Sequence, residues 1–346
     1  MRRTGRLIRI ATVLAAALAT VLATVLAGAP AASASAPAAS FAVPNPGVLF
    51  DGSRWVILDT GDWDHTGHIL TAPSATGPWK RTSHRLLTGR PRWASNGNRS
   101  VWAPSLVRGG NGQYVAFYAA VVAGQKSARC IGTASSSSST GPFVPATRPV
   151  ACYSGSKAHA YDTIKTEGHN FGLIDPTPAA INGQLYLTYK TEHKRADGRW
   201  HTTIRLVQLN ATDPRRTAPN PIHASGASIK ITDSVNKYIE ENPVLVVHGG
   251  VFTLFTSWGW YGTCKYSTRF RQNTSLWHGW LKKAPRPLAI PGGTCGTGNA
   301  QVVPGSAKGW RIFFNDHQGG KPHAPFLLYV GKVAWKSGLP SVPTLV

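Results

Sequence analysis

The sequence predicts an all-β fold, specifically a five-bladed β-propeller with four-stranded antiparallel blades. The main observation is a unit that occurs five times, in which a short strand leads through a glycine turn into an aromatic-rich strand. The units begin near Asn45, Ala103, Asp175, Glu241 and Ala300. They recur at intervals of roughly sixty to seventy residues, which is typical of a repeat architecture, and four strands repeated around an axis make a propeller.

Short runs of apolar, aromatic and polar residues support the β assignment, for example at 54–58 and 185–189, with Gly, Asn, Asp and Ser turns between such runs. No sustained helical periodicity follows the N-terminal segment, so little helix is expected. Residues 76–79 and 140–143 are Thr-Gly-Pro-aromatic turns at equivalent points of the first two units. A β-sandwich or a two-domain β protein is the alternative.

Residues 1–36 have the pattern of a secretory signal peptide. Four arginines precede an uncharged run rich in Ala, Val, Leu and Thr, and small-residue cleavage patterns follow it. The remaining residues, 41–346, are predicted to form one propeller domain that is secreted. An uncleaved membrane anchor is the alternative, because the apolar run is nearly long enough to cross a bilayer.

Four cysteines in an exported chain predict two disulfides. Pairing Cys130 with Cys152 and Cys264 with Cys295 is the arrangement closest in sequence. Four cysteines allow three pairings, and the sequence alone does not select one of them.

The chain is strongly basic, with 37 Lys and Arg against 14 Asp and Glu, for a formal charge of +23. Such a surface attracts polyanions. No recognition helix or RNA-binding signature is present, so nucleic acid is not an expected partner. An anionic cell wall or an acidic polysaccharide fits an exported protein better, so the expected partner is a plant or cell-wall polysaccharide or oligosaccharide. Solubility without any partner is the alternative. We expect a monomer that does not contact the membrane after signal cleavage.

Acidic residues at two of the five strand openings point to a reaction. The inner strands of a propeller surround its axis, so Asn45, Trp102, Asp175 and Glu241 are expected to face one another across a funnel. Cleavage of a glycosidic bond needs one acid to protonate the leaving oxygen and a second carboxylate to activate water or to attack. Asp175 and Glu241 therefore predict glycoside hydrolysis. A turn aspartate that caps its own backbone is the alternative for Asp175.

These openings resemble glycoside hydrolase family 43. The resemblance rests on Trp102-Ala103-Pro104, Ile174-Asp175-Pro176, Glu241-Asn242-Pro243 and the two Thr-Gly-Pro-aromatic turns, and it extends from about Pro44 to the C-terminus. The family implies a five-bladed propeller and inverting hydrolysis of α-L-arabinofuranosyl or β-xylosyl linkages in plant polysaccharides.

The resemblance also implies roles for individual residues. Glu241 matches the general acid, and Asp175 matches the residue that raises the pKa of that acid and orients it. Asn45 stands where the family has an aspartate general base, and a neutral amide cannot accept a proton from water. We therefore expect weakened hydrolysis, or a base from Asp59, Asp62 or Asp64, or a catalytically impaired carbohydrate-binding protein. Glu240 is the alternative to Glu241 as the inward-facing residue.

The remaining predictions concern sugar and metal binding. Aromatic faces stack on sugar rings, so Trp102, Trp258, Trp260 and Tyr261 are candidate platforms, with interblade packing as the alternative. His317 resembles a family residue that lines the sugar site. Many family members have a histidine near the axis that sometimes binds calcium, but Asn299 is at that place here. No cofactor is required and no metal ligand is assigned, with a central Ca²⁺ left as an alternative.

Overall fold

The computed structural model describes residues 36–61, 67–96, 101–165, 169–236, 239–293, 295–305 and 309–346. The predicted signal peptide lies outside these residues except for Ala36, and so do Asp62 and Asp64. The described chain from Ala36 to Val346 is one compact unit. Among these residues no helix is long and apolar enough to span a bilayer.

Five β-sheets follow one another along the chain, each made of consecutive strands, and they are the five predicted blades. Blade 1 contains β1 (Gly47–Phe50), β2 (Trp55–Asp59), β3 (His68–Ala72) and β4 (Lys80–Arg85). Blade 2 contains β5 (Trp102–Arg108), β6 (Tyr114–Val121), β7 (Arg129–Ser136), β8 (Val144–Pro145), β9 (Ala151–Tyr153) and β10 (Asp162–Ile164). Blade 3 contains β11 (His169–Ile181), β12 (Gln184–Lys194), β13 (Trp200–Leu209), β14 (Ile229–Lys230) and β15 (Ser234–Asn236).

The last two blades have four strands each. Blade 4 contains β16 (Glu240–His248), β17 (Val251–Trp258), β18 (Ser267–Asn273) and β19 (Arg286–Pro287). Blade 5 contains β20 (Gly298–Pro304), β21 (Trp310–His317), β22 (Phe326–Lys336) and β23 (Leu339–Ser341). Two short 3₁₀ helices cover Trp280–Lys282 and Gln318–Gly320. The prediction of an all-β propeller is confirmed.

Blades 2 and 3 differ from the predicted four strands. In blade 2, β8 and β9 both pair with β7, and β10 adds to β9 as a parallel strand. In blade 3, β14 and β15 pair with different parts of the long strand β13. An outer edge leaves backbone groups unpaired, and short added strands satisfy them.

The five inner strands contact one another in a closed ring, from β1 through β5, β11 and β16 to β20, which contacts β1 again. The N-terminal segment closes the ring a second time, because the backbone N–H groups of Ala38 and Val43 donate to carbonyls of β22 in blade 5. The first described segment therefore lies beside a strand of the last blade.

The hydrophobic core lies between neighbouring blades. Trp55 of blade 1 packs against Phe313 of blade 5 with ring centroids 5.2 Å apart, and Tyr186 of blade 3 meets Trp277 of blade 4 at 6.0 Å. Central strands are covered on both faces, so all five residues of β2 are buried, four apolar residues followed by Asp59. Burial of these aromatic faces stabilises each blade against the next.

Both disulfides follow the pairing closest in sequence. Cys130–Cys152 joins β7 to β9 within blade 2. Cys264–Cys295 joins the loop between β17 and β18 to the segment before β20. The second bridge therefore links blade 4 to blade 5 at the end of the propeller where the inner strands begin.

Candidate active site

The start of every blade has the same unusual backbone conformation. One residue in each opening has a positive φ, between 43° and 57°: Asn45, Ala103, Asp175, Asn242 and Asn299. Non-glycine residues seldom adopt this left-handed region, and Asn and Asp tolerate it best. In blades 2 to 5 the strand register shifts at this point, so the residue forms part of a bulge. All five residues line one narrow cavity at the axis.

This alignment changes which residues correspond between the blades. Asn242, not Glu241, is the counterpart of Asp175. Glu241 is one residue earlier, and its counterparts are Trp102 in blade 2 and Gly298 in blade 5. Gly298 has no side chain, and a Cβ there would lie 2.1 Å from Cε1 of Tyr266. The glycine therefore leaves the space that the Tyr266 ring occupies.

Tyr266 connects the axial residues. Its hydroxyl lies 2.9 Å from Oε1 of Glu241, 2.8 Å from Oδ1 of Asn242 and 2.7 Å from Oδ1 of Asn299. A phenol has one proton to donate, so only one of these oxygens accepts it at a time. Burial raises the pKa of Tyr266 well above its ordinary value, with the Glu241 charge adding to the effect, so the hydroxyl stays protonated.

The two predicted catalytic carboxyls lie beside one buried lysine. Nζ of Lys190 is 2.6 Å from Oε2 of Glu241 and 3.8 Å from Oδ2 of Asp175. A third carboxyl, that of Glu192, lies 3.0 Å from the same nitrogen. The backbone N–H of Asn242 also donates to Oδ2 of Asp175 at 3.1 Å. The openings of blades 3 and 4 are thus joined by one ammonium group and one backbone hydrogen bond.

For both Asp175 and Lys190, burial and the charge of the other group shift the pKa in opposite directions. Burial is the main cause that raises the pKa of Asp175 to about 7; Lys190 opposes the shift and the Glu241 charge adds to it. Burial disfavours the charged form of Lys190, but Glu192, Glu241 and Asp175 outweigh it and raise the pKa of Lys190. Lys190 is therefore a permanent cation, while Asp175 changes charge near neutral pH.

The raised pKa of Asp175 predicts how the stability of the protein depends on pH. The folded protein binds a proton at Asp175 between pH 3.8 and about 7 that the unfolded chain releases. Stability should therefore fall as pH rises through this window. In thermal melts at pH 4, 5.5 and 7, the Asp175→Asn variant should lose less stability across the window than wild type.

Asp51 is the matched control for this experiment. Although burial opposes it, hydrogen bonds from Ser139, Arg54 and Ser53 lower the pKa of Asp51 to about 2. Its stabilising effect is present above pH 3.8 and is lost as pH falls towards 2, so Asp51→Asn should leave the slope between pH 4 and 7 unchanged. Equal slopes for Asp175→Asn and wild type would contradict the assignment.

Comparison with known proteins agrees with the fold and shows the family. The sequence profile of glycosyl hydrolases family 43 matches residues 79–338. The chain belongs to glycoside hydrolase family 43. A probable arabinan endo-1,5-α-L-arabinosidase C of Aspergillus flavus is 35% identical over 107 residues, a match that covers 28% of this chain and 32% of that protein. The same values hold for its counterpart in Aspergillus oryzae.

Solved structures share the fold of this family 43 chain. A thermostable family-43 glycoside hydrolase superposes with a TM-score of 0.69 at 16% identity, covering 88% of this chain and 93% of that one. An α-L-arabinanase mutant of Cellvibrio cellulosa gives a TM-score of 0.63 at 17% identity, covering 87% and 95%. At these identities the likeness concerns the fold alone.

Glu240 does not share the site with Glu241 in this family 43 protein. Glu240 is buried, and its Oε1 accepts hydrogen bonds from the Arg271 guanidinium and the Thr256 hydroxyl. Burial raises the pKa of Glu240, while Arg271 acts in the opposite direction. This ion pair belongs to the packing within blade 4. Of the two neighbouring glutamates, Glu241 is the one beside Asp175.

Asn45 is held at the axis by its neighbours. Its Nδ2 donates to Oγ1 of Thr60 at 3.3 Å, and its Oδ1 accepts from Nδ2 of Asn242 at 3.4 Å. Its backbone N–H donates to Oδ1 of Asn315 at 3.2 Å. Asn45 lines the same cavity as Asp175. Asn45, the residue predicted at the position of the general base, therefore has an amide that is already hydrogen-bonded.

Asp59 is the one alternative base in the described part of the chain, since Asp62 and Asp64 lie outside it. Asp59 is fully buried in β2, and its Oδ1 accepts from the backbone N–H of His68 and contacts the His68 ring. Burial raises the pKa of Asp59 against the opposing effect of His68. Its carboxyl is thus engaged within blade 1, and it does not line the axial cavity.

The axial residues do not fit the calcium ion that the family suggests. Calcium takes about six to eight oxygen ligands, usually with several carboxylates. Among the described residues Asp175 is the one carboxylate that lines the axial cavity, and the amide oxygens of Asn45, Asn242 and Asn299 each have a hydrogen-bond donor nearby. No group of three or more His, Cys, Asp and Glu in the described ranges could hold a metal ion.

The predicted sugar platforms are partly covered. The Arg129 guanidinium stacks on Trp102 at 3.4 Å from the ring centroid, and that of Arg269 lies 4.9 Å from the ring of Trp258. Both tryptophans are half-buried. One face of each ring is thus occupied by an arginine, which restricts a sugar to the other face.

His317 has a different position from the predicted one. It is buried, stacks on Phe326, and faces two backbone carbonyls through its ring nitrogens: Nδ1 is 2.6 Å from O of Ala324 and Nε2 is 2.8 Å from O of Tyr261. These contacts tie two loops together. Both nitrogens are engaged by the backbone, so His317 is not oriented to bind a sugar.

Three residues of the cluster were not predicted: Lys190, Glu192 and Tyr266. Lys190 had a sequence signal, because a lysine inside the apolar run of β12 must be paired if that strand is buried. Glu192 follows it on the same face of the strand. Tyr266 had no comparable signal, since its ring reaches the axis from the end of a loop.

Proposed function

We propose that this protein is a secreted glycoside hydrolase that cleaves α-L-arabinofuranosyl or β-xylosyl linkages of plant polysaccharide by inversion. Glu241 is the general acid, and Asp175 positions it through the lysine that both carboxyls contact. The observation that carries the proposal is the convergence of both carboxyls on Lys190 at the axial end of the blades. The Aspergillus and Cellvibrio relatives are named as enzymes that act on arabinan, which supports this substrate class.

The contacts of Glu241 are compatible with proton donation. A general acid needs a proton on the carboxyl oxygen that faces the leaving group, so that the proton can be transferred to that group. Tyr266 can donate its proton to Asn242 or Asn299, and its oxygen then accepts a hydrogen bond from a protonated Oε1 of Glu241. The hydroxyl thus supports either protonation state of the acid.

Asn45 makes the hydrolase a weak one under this proposal. General base catalysis contributes typically about 10²–10⁴-fold. Among the described residues of the axial cavity the one carboxylate is Asp175, which has another role in this proposal, and the amide of Asn45 cannot remove a proton from water.

Restoring a carboxylate at position 45 is therefore the most direct test of the general-base assignment. Asn45→Asp should raise kcat/KM on aryl arabinofuranosides or aryl xylosides by up to about 10²–10⁴-fold. Asn299→Asp is the matched control, because it adds the same charge at the axis in blade 5 and should give no such gain. An equal effect of both variants, or none from Asn45→Asp, would contradict the base assignment.

The activity itself is tested with wild type and Asn45→Asp on aryl α-L-arabinofuranosides, aryl β-xylosides, arabinan and xylan. Product release, with NMR of the first-formed anomer, gives both the substrate and the stereochemistry. Absence of release from every substrate by both proteins would overturn the hydrolase proposal.

A carbohydrate-binding protein without catalysis is the second candidate. The hydrogen-bonded amide of Asn45 and the excess of 37 basic over 14 acidic residues favour it. It predicts binding to anionic wall polymers that weakens as salt rises. Salt-independent binding would remove its electrostatic basis.

Secretion and a monomeric state complete the proposal. The N-terminal pattern of residues 1–36 and the two disulfides support an oxidising, extracellular location. Mass spectrometry of the protein from a culture medium would show whether the chain is cleaved near residue 36, and light scattering would give its oligomeric state.

A further inference from the structure

The loop at 259–266, between β17 and β18, exposes two adjacent aromatic side chains; we call it the rim loop. Trp260 is 46% exposed and Tyr261 is 51% exposed, with ring centroids 4.9 Å apart. In the part of the chain that the structure describes, no other aromatic residue is classed as exposed. Aromatic surface left in water is unfavourable, and exposed apolar patches on soluble proteins can mark interaction sites.

The rim loop lies beside the proposed acid. At its start, the backbone N–H of Gly259 donates to O of Ile239, next to Glu240, at 3.1 Å. At its end, Tyr266 reaches Oε1 of Glu241 at 2.9 Å. Tyr266 is five positions after Tyr261, so their Cα atoms are at most about 18 Å apart. That span corresponds to a few sugar units of an extended chain.

The rim loop is held in place before any ligand arrives. Within it, Thr263 and Tyr266 donate backbone hydrogen bonds to Trp260 and Thr263. The Cys264–Cys295 disulfide attaches it to blade 5, and the His317 ring contacts the Tyr261 carbonyl. A site that is already ordered loses little entropy on binding.

We propose that Trp260 and Tyr261 form an outer subsite for sugar units of a polysaccharide chain beyond the linkage that is cleaved. Flat aromatic rings offer apolar area and edge contacts to the C–H faces of sugars at low entropic cost. The inference rests on the proposed function for the location of the cleaved bond. It adds that the protein prefers a polymer to a short glycoside.

The binding test uses Glu241→Gln as background, so that polymer is not consumed. Affinity for arabinan, arabinoxylan and their oligosaccharides is measured by calorimetry with and without Trp260→Ala/Tyr261→Ala. The alanine pair should weaken polymer binding by about tenfold. The Trp260→Phe/Tyr261→Phe pair, which keeps an aromatic face at both positions, should retain most of the affinity.

The same pairs in the wild-type background test the kinetic consequence. The ratio of kcat/KM on polymer to that on an aryl glycoside should fall about tenfold for the alanine pair and little for the phenylalanine pair. Unchanged polymer affinity, together with an unchanged ratio, would overturn the subsite. If wild type hydrolyses nothing, the proposed function fails, and the binding test still decides the subsite by itself.

Removing each disulfide in turn separates the effect of attaching the rim loop from an effect on the stability of the whole protein. Cys264→Ser/Cys295→Ser should weaken polymer binding, because the rim loop then has one attachment fewer. Cys130→Ser/Cys152→Ser removes a bridge in the core of blade 2 and should leave polymer affinity unchanged at temperatures where both variants are folded. Equal losses in the two variants would contradict the role of the tether.

Discussion

Replacing Glu241 by glutamine should lower kcat/KM on aryl arabinofuranosides or xylosides by about 10²–10⁴-fold. The amide keeps the shape of the side chain and can still contact Lys190 and Tyr266, but it cannot deliver a proton to the leaving oxygen. Initial rates with a series of aryl leaving groups are the measurement. The loss should be largest for poor leaving groups and smallest for dinitrophenolate, which departs without protonation.

Glu240→Gln is the matched control, one residue away in the same strand. Glu240 pairs with Arg271 inside blade 4, so its substitution should lower the melting temperature without a dependence on the leaving group. The assignment of the acid would be wrong if Glu240→Gln reproduced the leaving-group pattern, or if the Glu241→Gln loss were the same for every leaving group.

Replacing Lys190 by methionine should destabilise the protein by about 3–5 kcal/mol at pH 8, because it removes the ammonium that buried carboxyls share. At pH 5 the loss should be smaller, since Asp175, with a pKa of about 7, is then mostly protonated in the folded protein. Denaturant unfolding of wild type and variant at both pH values gives the difference directly.

Lys230→Met serves as the control for this experiment. Lys230 pairs with Asp233 at the surface, where the two side chains are 38% and 36% exposed, and such pairs contribute about 0–1 kcal/mol. A Lys190→Met variant that lost no more than Lys230→Met, or equally much at both pH values, would show that Lys190 is not the centre of the cluster.

Much of the fold was readable from local patterns. The five strand–turn–strand units appear in order as the inner two strands of the five blades, because alternation and glycine turns are local properties. The added strands β10 and β15 were not predicted, since pairing at an outer edge depends on which loop lies nearby. Closure through Ala38 and Val43 joins residues far apart in the sequence, and no local pattern reports it.

The candidate site, like the fold, could be predicted from the sequence only in part. The Pro-containing openings located Asp175, Glu241 and Asn45, because the bulge at each opening has a local sequence pattern. His317 was predicted to line the sugar site, but in the structure its two ring nitrogens contact backbone carbonyls of two loops. Such carbonyls have no signature in the sequence, so the difference could not be anticipated.

The sequence by itself determined that five repeats surround an axis, that acids stand at the openings of blades 3 and 4, and that blade 1 has Asn45 instead of a carboxylate. Only the tertiary structure decided that Glu241 and Asp175 share Lys190, that Tyr266 reaches the openings of blades 4 and 5 through the space beside Gly298, and that the rim loop is tied to blade 5. The reason is physical. Periodicity and turn chemistry act between neighbours in the chain, whereas burial and charge act between residues that only the closed ring of blades brings together.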